Sequence, residues 1–381
     1  MTYSSPLLSV HGAVPASEPD AGVAAHYGDP IPEQRRLDRP SAEAIAGVDL
    51  SHRGVVSVSG EDRASWLTTL SSQVIDGLPA GSSTEMTLLS AQGRIEFQPH
   101  VIVGADKIWL IVEAGQQAGL AAFLDSMRFM LRVEVADETE AYAVIGSTSP
   151  LRGRGGVSET ADAWRDPWPN IGPGGTSYAG TEHHPGEDWS YWETLVPRSD
   201  LPRLEVEWVG IWAIEALRIA AWRPRFATEV DEKTIPHELD LMRTAVHLSK
   251  GCYKGQETIA RVHNLGHPPR RLVFLDLDGS EHTLPETGSE VFVVDGKRSS
   301  GKITSVALHH EAGPIALAVI KRGVDPEAPL VVRDATSHVD PGADEGRGAP
   351  ATVEYAAAQT VVVSPEAGQA VGRRNRGDFL R

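Results

Sequence analysis

The sequence predicts an α+β protein in which mixed lobes are followed by an all-β end. Up to about residue 270, strand-like runs of period two alternate with helical stretches of period 3.6. From Arg271 onward only short apolar runs occur, at the spacing of a small barrel or sandwich. The length of 381 residues allows about two or three domains and a packed core.

Residues 1–45 are rich in Pro, Ala, Ser and Gly and read as a flexible N-terminal arm. Order is expected from Gly47, with Val55-Val56-Ser57-Val58 as a short strand. Ser59 and Asp62 then suggest a capped helix with Trp66, Leu67, Leu70 and Val74 on one face. Strands are expected at 84–90, 95–103 and 107–113, the first two joined by a turn at Ala91-Gln92-Gly93-Arg94. Leu120, Phe123, Leu124 and Met127 mark a helix within 115–130. Residues 150–190 are loop-rich, and their glycine clusters lack the spacing of a phosphate-binding loop. A strand near 191–197 precedes a helix expected over 203–221, with Ile211, Ile214, Leu217 and Ala221 facing inward. The β-only region, 271–381, contains strands near 272–277, 290–294, 302–308, 315–320, 330–332 and 351–363, with a loop excursion near 335–350.

Composition excludes several function classes. There is no apolar run of about 18 residues to span a bilayer, and no secretory leader is evident. The single cysteine, Cys252, forms no internal disulfide, which points to reducing cytoplasm. One thiolate does not hold an iron–sulfur cluster by itself, and no metal site is expected in this chain alone. His263 and His267 have a zinc-like spacing, but Gly266 and Pro268-Pro269 argue against a helix there. His183-His184 and His309-His310 read as loop residues with no ligand set. The formal net charge of −17 disfavours direct nucleic-acid or membrane binding. Against that background Lys250, Lys254, Arg261, Arg270 and Arg271 form a local basic island. It reads either as a site for an anion or as a solvated loop.

Lys250-Gly251-Cys252-Tyr253-Lys254-Gly255-Gln256-Glu257 resembles the signature of the YgfZ family. Gly47-Val48-Asp49-Leu50-Ser51-His52-Arg53-Gly54 resembles the opening of glycine-cleavage T-proteins. Leu217-Arg218-Ile219 with Pro236-His237-Glu238 resembles their central segment, and Gly301-Lys302-Ile303-Thr304-Ser305-Val306 their C-terminal barrel. The resemblance spans about Gly47 to Val332. It implies a three-lobed ring, with two α/β lobes in 46–270 that need not be contiguous in sequence and a small β-barrel in 271–381, around a central folate cleft.

The same resemblance implies tetrahydrofolate or a one-carbon derivative as cofactor. Arg218 matches the family's folate-binding arginine, and an arginine fork suits a carboxylate; an internal ion pair is the alternative. Glu187, in Gly186-Glu187-Asp188, resembles the segment whose glutamate meets the pterin edge, although downstream residues fit only with a small insertion. Trp212, with Trp189 and Trp192, offers ring faces or simple packing. Lys250, Tyr253, Lys254 and Gln256 join the candidate site through the signature. Cys252, flanked by two lysines that favour a thiolate, is a candidate functional thiol; an inert cysteine is the other reading.

Two departures stand out. The T-protein aspartate expected after Gly93 is missing: the chain reads Gly93-Arg94-Ile95-Glu96-Phe97-Gln98, with Glu96 off the matching place. Trp222 replaces a glycine of the family. The expected function is therefore a YgfZ-like accessory protein in iron–sulfur cluster assembly or repair, supporting cluster enzymes including tRNA-modifying ones. Its partners would be assembly proteins or client enzymes rather than nucleic acid. The alternative is a folate-dependent aminomethyltransferase. A demethylating enzyme fused to an oxidase is disfavoured because the length leaves no room for a flavin domain.

Overall fold

Two neighbouring strands set the architecture. Ala46–Asp49 and Gly54–Ser59 are separated by one turn, yet they enter different sheets. The structure, a computed structural model, describes residues 3–41, 45–334 and 352–369. In the first sheet the order is Glu134–Asp137, Gly54–Ser59, Lys107–Val112, His100–Val103 and Ser83–Glu85, all antiparallel. In the second it is Ala163–Arg165, Trp192–Pro197, Tyr142–Ser147, Ala46–Asp49 and Glu207–Val209, the last pair parallel. The two lobes are thus interleaved in sequence.

Alternation along the strands explains how the layers stack. In Lys107–Val112, Ile108, Leu110 and Val112 face one core with Trp66, Leu67, Leu120 and Leu124 from the helices Arg63–Leu70 and Gln117–Met127. Trp109 and Ile111 face the opposite core, shared with Val48, Val144 and Leu195 of the second sheet and with Ile211, Ile214 and Leu217. The third lobe is a closed barrel in the order Arg270–Leu277, Gly313–Lys321, Gly301–His309, Glu290–Val293, Leu330–Asp334 and Val353–Val361. The chain therefore has the α+β architecture of two mixed lobes and a small barrel.

Several local expectations are corrected. The stretch read as a flexible arm is packed. It carries the strand Ala24–His26 and the helix Pro30–Asp38, and it buries Leu7, Val23, Ala24, Ala25 and Leu37. The helix expected over 203–221 is shorter. Glu207–Val209 is a strand, and the helix runs over Ile211–Ala220. Gly210 separates the two, and its missing side chain is required, because a Cβ there would lie 2.0 Å from the Ala25 carbonyl oxygen. Glu33 of the arm accepts the Gly210 N–H at 2.8 Å, placing a carboxylate at the helix start.

The helix after Ser59 begins at Arg63 and ends at Leu70, before Val74. Asp62 does not cap it; its carboxylate instead holds the Arg132 backbone N–H at 2.8 Å. A helix, Gln256–Leu265, does include His263 and stops before Gly266. The excursion near 335–350 lies outside the described residues. Among the described residues no helix is long and apolar enough to cross a membrane.

Candidate functional site

Where the lobes, the barrel and the arm meet, the chain buries an unusual amount of charge. The run Trp222-Arg223-Pro224-Arg225-Phe226 leaves the Ile211–Ala220 helix, with Trp222 held at φ +56°. Pro224 between them cannot continue a helix, and Arg223 and Arg225, the latter on extended backbone, both line a central cavity. Arg223 Nε donates to Asp166 at 2.9 Å and its Nη2 to Glu85 at 2.9 Å. Arg225 donates to Glu113 at 2.8 and 2.7 Å, to Asp20 of the arm at 2.7 Å, and to Glu215 at 3.2 Å. Arg53 pairs with Glu193, whose other oxygen meets His100 at 2.8 Å. His100 in turn stacks on Trp164 at 3.8 Å.

Burial alone would raise the carboxyls of Glu113 and Glu193, but the adjacent arginines outweigh it and pull both down to about 2. Burial raises Asp166, which Arg223 only partly opposes. For Glu113 and Glu193 the sign of the linkage is clear. Their stabilisation is complete above the ordinary 4.5 and is lost as pH falls toward about 2. His184 and His237, both pushed down to about 3 by burial, add a loss that begins below the imidazole's ordinary 6.5. Melting curves recorded from pH 7 to pH 3 should fall below pH 6.5 and steepen below 4.5. A flat melting temperature down to pH 4 would contradict the buried network.

Of the sequence-predicted candidates, the structure brings Arg218 and Trp189 to this cavity. Arg218 lines it, yet its guanidinium is taken up by Glu215 at 2.5 Å, Glu229 at 3.2 Å and the Ser305 hydroxyl of the barrel at 2.6 Å. Glu187 is exposed on a short turn, Pro185–Asp188, outside the cavity. Among the acids that do face the cavity is Glu193, on the strand Trp192–Pro197. Trp212 is exposed and tilts against His26 at 5.2 Å. Of the other tryptophans, Trp189 lines the cavity, and its ring stacks on Tyr191 at 5.3 Å.

The signature loop sits elsewhere, against the first lobe. The Lys250 ammonium donates to the Thr68 and Ser71 carbonyls and lies 4.5 Å from the Tyr253 ring; burial brings it down to about 8. Burial pushes the Tyr253 phenol up to about 12. Lys254 pairs with Glu96 at 3.2 Å, so the acid nearest the Gly93 turn is engaged away from the cavity. The Gln256 amide donates to the Lys250 and Gly251 carbonyls at 3.3 and 3.4 Å. Cys252 is exposed. Gly255, at φ +85°, starts the Gln256–Leu265 helix and lets it approach the Gly93 turn. The basic island is dispersed: Arg270 pairs with Asp231 and Glu238, and Arg271 is buried in the barrel. His263 bonds the Tyr178 hydroxyl at 2.9 Å and His267 the Ala367 carbonyl at 2.7 Å.

Sequence reasoning missed Arg53, Glu113, Asp166, Glu193, Arg223 and Arg225. The signal available was charge embedded in apolar context, as in Trp192-Glu193-Thr194-Leu195-Val196. The residue types of the cavity suit a flat heterocycle with a polar edge, through Glu193 and the ring faces of Trp189 and Tyr191, although both Glu193 oxygens are already engaged by Arg53 and His100. Its volume does not. About 50 Å³ is room for a few waters, well below the roughly 300–1,000 Å³ of sites that enclose a whole ligand.

No family model matches the chain. It is similar to a chloroplastic protein of Arabidopsis thaliana provisionally named a transferase, 28% identical over 296 residues, which are 73% of this chain and 66% of that one. The chain thus spans slightly less than two thirds of that relative's length. It is 23% identical to an iron–sulfur cluster assembly factor IBA57 homolog, mitochondrial, of Cryptococcus neoformans over 67% of this chain and 72% of that one. A shorter match, 29% identical over 33% of this chain and 40% of the other, is to the tRNA-modifying protein YgfZ of Escherichia coli. Among solved structures, the glycine cleavage system aminomethyltransferase T from Bartonella henselae superposes with a TM-score of 0.69 over 95% of this chain and 97% of that one. At 16% identity that match is one of fold. These relatives and this fold agree with the resemblance carried by Lys250–Glu257: the chain is similar in sequence to IBA57-type and YgfZ proteins and has the fold of aminomethyltransferase T.

Proposed function

We propose that this chain is a tetrahydrofolate-binding accessory protein of iron–sulfur cluster assembly or repair that supports cluster enzymes, tRNA-modifying ones included. The relatives named for cluster assembly and tRNA modification support the role. The observation that carries the non-catalytic part is the state of the cavity's carboxylates. Glu113, Asp166, Glu193 and Glu215 each accept from an arginine, and the residues following the Gly93 turn add no free acid. A transferase needs a group free to move a proton at the folate nitrogens. The acidic surface favours protein partners over nucleic acid, and the lone thiol suits a reducing, cytoplasm-like compartment. Folate binding on this reading requires Arg225 and the arm's Asp20 to give way, because the cavity is otherwise too small.

Anaerobic calorimetry with tetrahydrofolate should give one site per chain. Glu193→Gln should weaken it by about 1.5–3 kcal/mol, the cost of a lost charged hydrogen bond. An unchanged affinity in the folded variant would place the ligand elsewhere, and the absence of any binding heat would remove the folate part of the proposal. The fold match to aminomethyltransferase T keeps that activity as the second reading. Turnover with an aminomethyl-loaded lipoyl carrier, well above a no-protein control, would favour it.

A further inference from the structure

Arg243 is buried under different conditions from the other arginines near the cavity. Arg218, Arg223 and Arg225 each donate to carboxylates at 2.5–2.9 Å. Arg243, 4% exposed at the end of the turn Leu241–Arg243, donates no side-chain hydrogen bond among the described residues; its Nε and Nη1 are buried and unsatisfied. The nearest carboxylate, Asp240, is 3.5 Å away and is already occupied by the Tyr178 N–H and, at 2.9 Å, the Ser177 hydroxyl. The Arg243 guanidinium lies 4.8 Å from the Trp168 ring, and that of Arg223 lies 5.0 Å from the same ring. An aromatic face attracts a cation but leaves its N–H groups unsatisfied. Burial draws Arg243 below its ordinary pKa, whereas the three paired arginines are raised. A buried guanidinium in this condition calls for an anion.

Arg243 lines a cleft of about 820 Å³, distinct from the central cavity and sharing only the wall at Trp189. Arg165 adds a second cation, while Ile171 and Pro169 present apolar surface. Glu187 and Asp188 on the rim oppose multiply charged ligands. We propose that this cleft is a second ligand site, which takes the carboxylate of a small molecule with an apolar or aromatic body on Arg243. The carboxylate meets the guanidinium through Nη2, since Nε and Nη1 are closed off from the cleft. The assignment is independent of where folate binds.

Sodium benzoate is the probe, with inorganic phosphate and chloride at matched ionic strength. Benzoate should raise the melting temperature of the full chain in a saturable way, and more than phosphate or chloride. Arg243→Met keeps a long apolar side chain and removes the charge. It should melt no lower than wild type without ligand and bind benzoate about tenfold or more weakly. Ile171→Glu, at a position 54% exposed, should also lose the response by adding a like charge to the rim. A benzoate effect no larger than that of chloride, a stronger effect of phosphate, or a full response in Ile171→Glu would overturn the proposal. So would an Arg243→Met protein that melts several degrees lower, since Arg243 would then be a structural cation.

Discussion

Arg223→Ala is expected to lower the unfolding free energy by about 3–5 kcal/mol, the range for breaking a buried ion pair from one side. Arg223 holds Glu85 of the first sheet and Asp166, which follows the Ala163–Arg165 strand of the second, and both carboxylates are buried. Removing the guanidinium strands two buried charges and also frees one side of Trp168. Arg223→Lys should recover little, because an ammonium does not reproduce the fork that spans both acids. The exposed pair of Arg132 with Glu61 is the control, and Arg132→Ala should leave the urea midpoint almost unchanged. A loss below about 1 kcal/mol for Arg223→Ala, read from urea curves with an unchanged slope, would mean that the network is not a unit of stability.

The second large effect is expected in the signature loop, and from a glycine rather than the cysteine. Gly255 sits at φ +85°, and a Cβ there would lie 2.6 Å from the Ser90 carbonyl oxygen and 3.1 Å from Gly93. Gly255→Ala should cost about 1–3 kcal/mol from the left-handed backbone alone, with the contact adding to it. It should also loosen the Gln256–Leu265 helix from the Gly93 turn. Cys252→Ser, at an exposed position, should stay within about 0.5 kcal/mol of wild type. If Cys252→Ser also fails to support cluster enzymes while folding normally, the thiol acts in chemistry or partner contact. If it supports them fully, the loop's form follows from Gly255 and from Lys250 on the Thr68 and Ser71 carbonyls.

What the sequence revealed follows from how local each signal is. The barrel strands were legible because their apolar alternation is local, as in Leu272–Leu277 within Arg270–Leu277. The helix after Leu201 was misplaced because an apolar run passes without a break from the strand Glu207–Val209 through Gly210 into Ile211–Ala220. The parallel pairing of Glu207–Val209 with residues 46–48 distinguishes the two, and that pairing is not local. The arm misled through its composition. Its Pro, Ala, Ser and Gly content hides a few anchors, Leu7, Asp20 and Leu37, that commit it to the fold.

The candidate site was legible at Arg218, where the motif places it on the Ile211–Ala220 helix facing the cavity. Its partners were not, because Arg53, Glu113, Asp166 and Glu193 come from four separated segments. Glu187, the acid offered by the resemblance, lies on the turn Pro185–Asp188 outside the cavity, whereas Glu193, six positions on in the following strand, lines it. The charge around the signature loop left an anion site and a solvated loop both open; its lysines meet carbonyls and Glu96.

The most direct test of the account is the specific activity of an iron–sulfur enzyme in cells that lack this chain, measured with the polypeptide level of that enzyme held equal. The account predicts that activity falls, that the wild-type chain restores it, and that a folded Glu193→Gln variant restores it poorly. Full enzyme activity in the cells lacking the chain would contradict the accessory role.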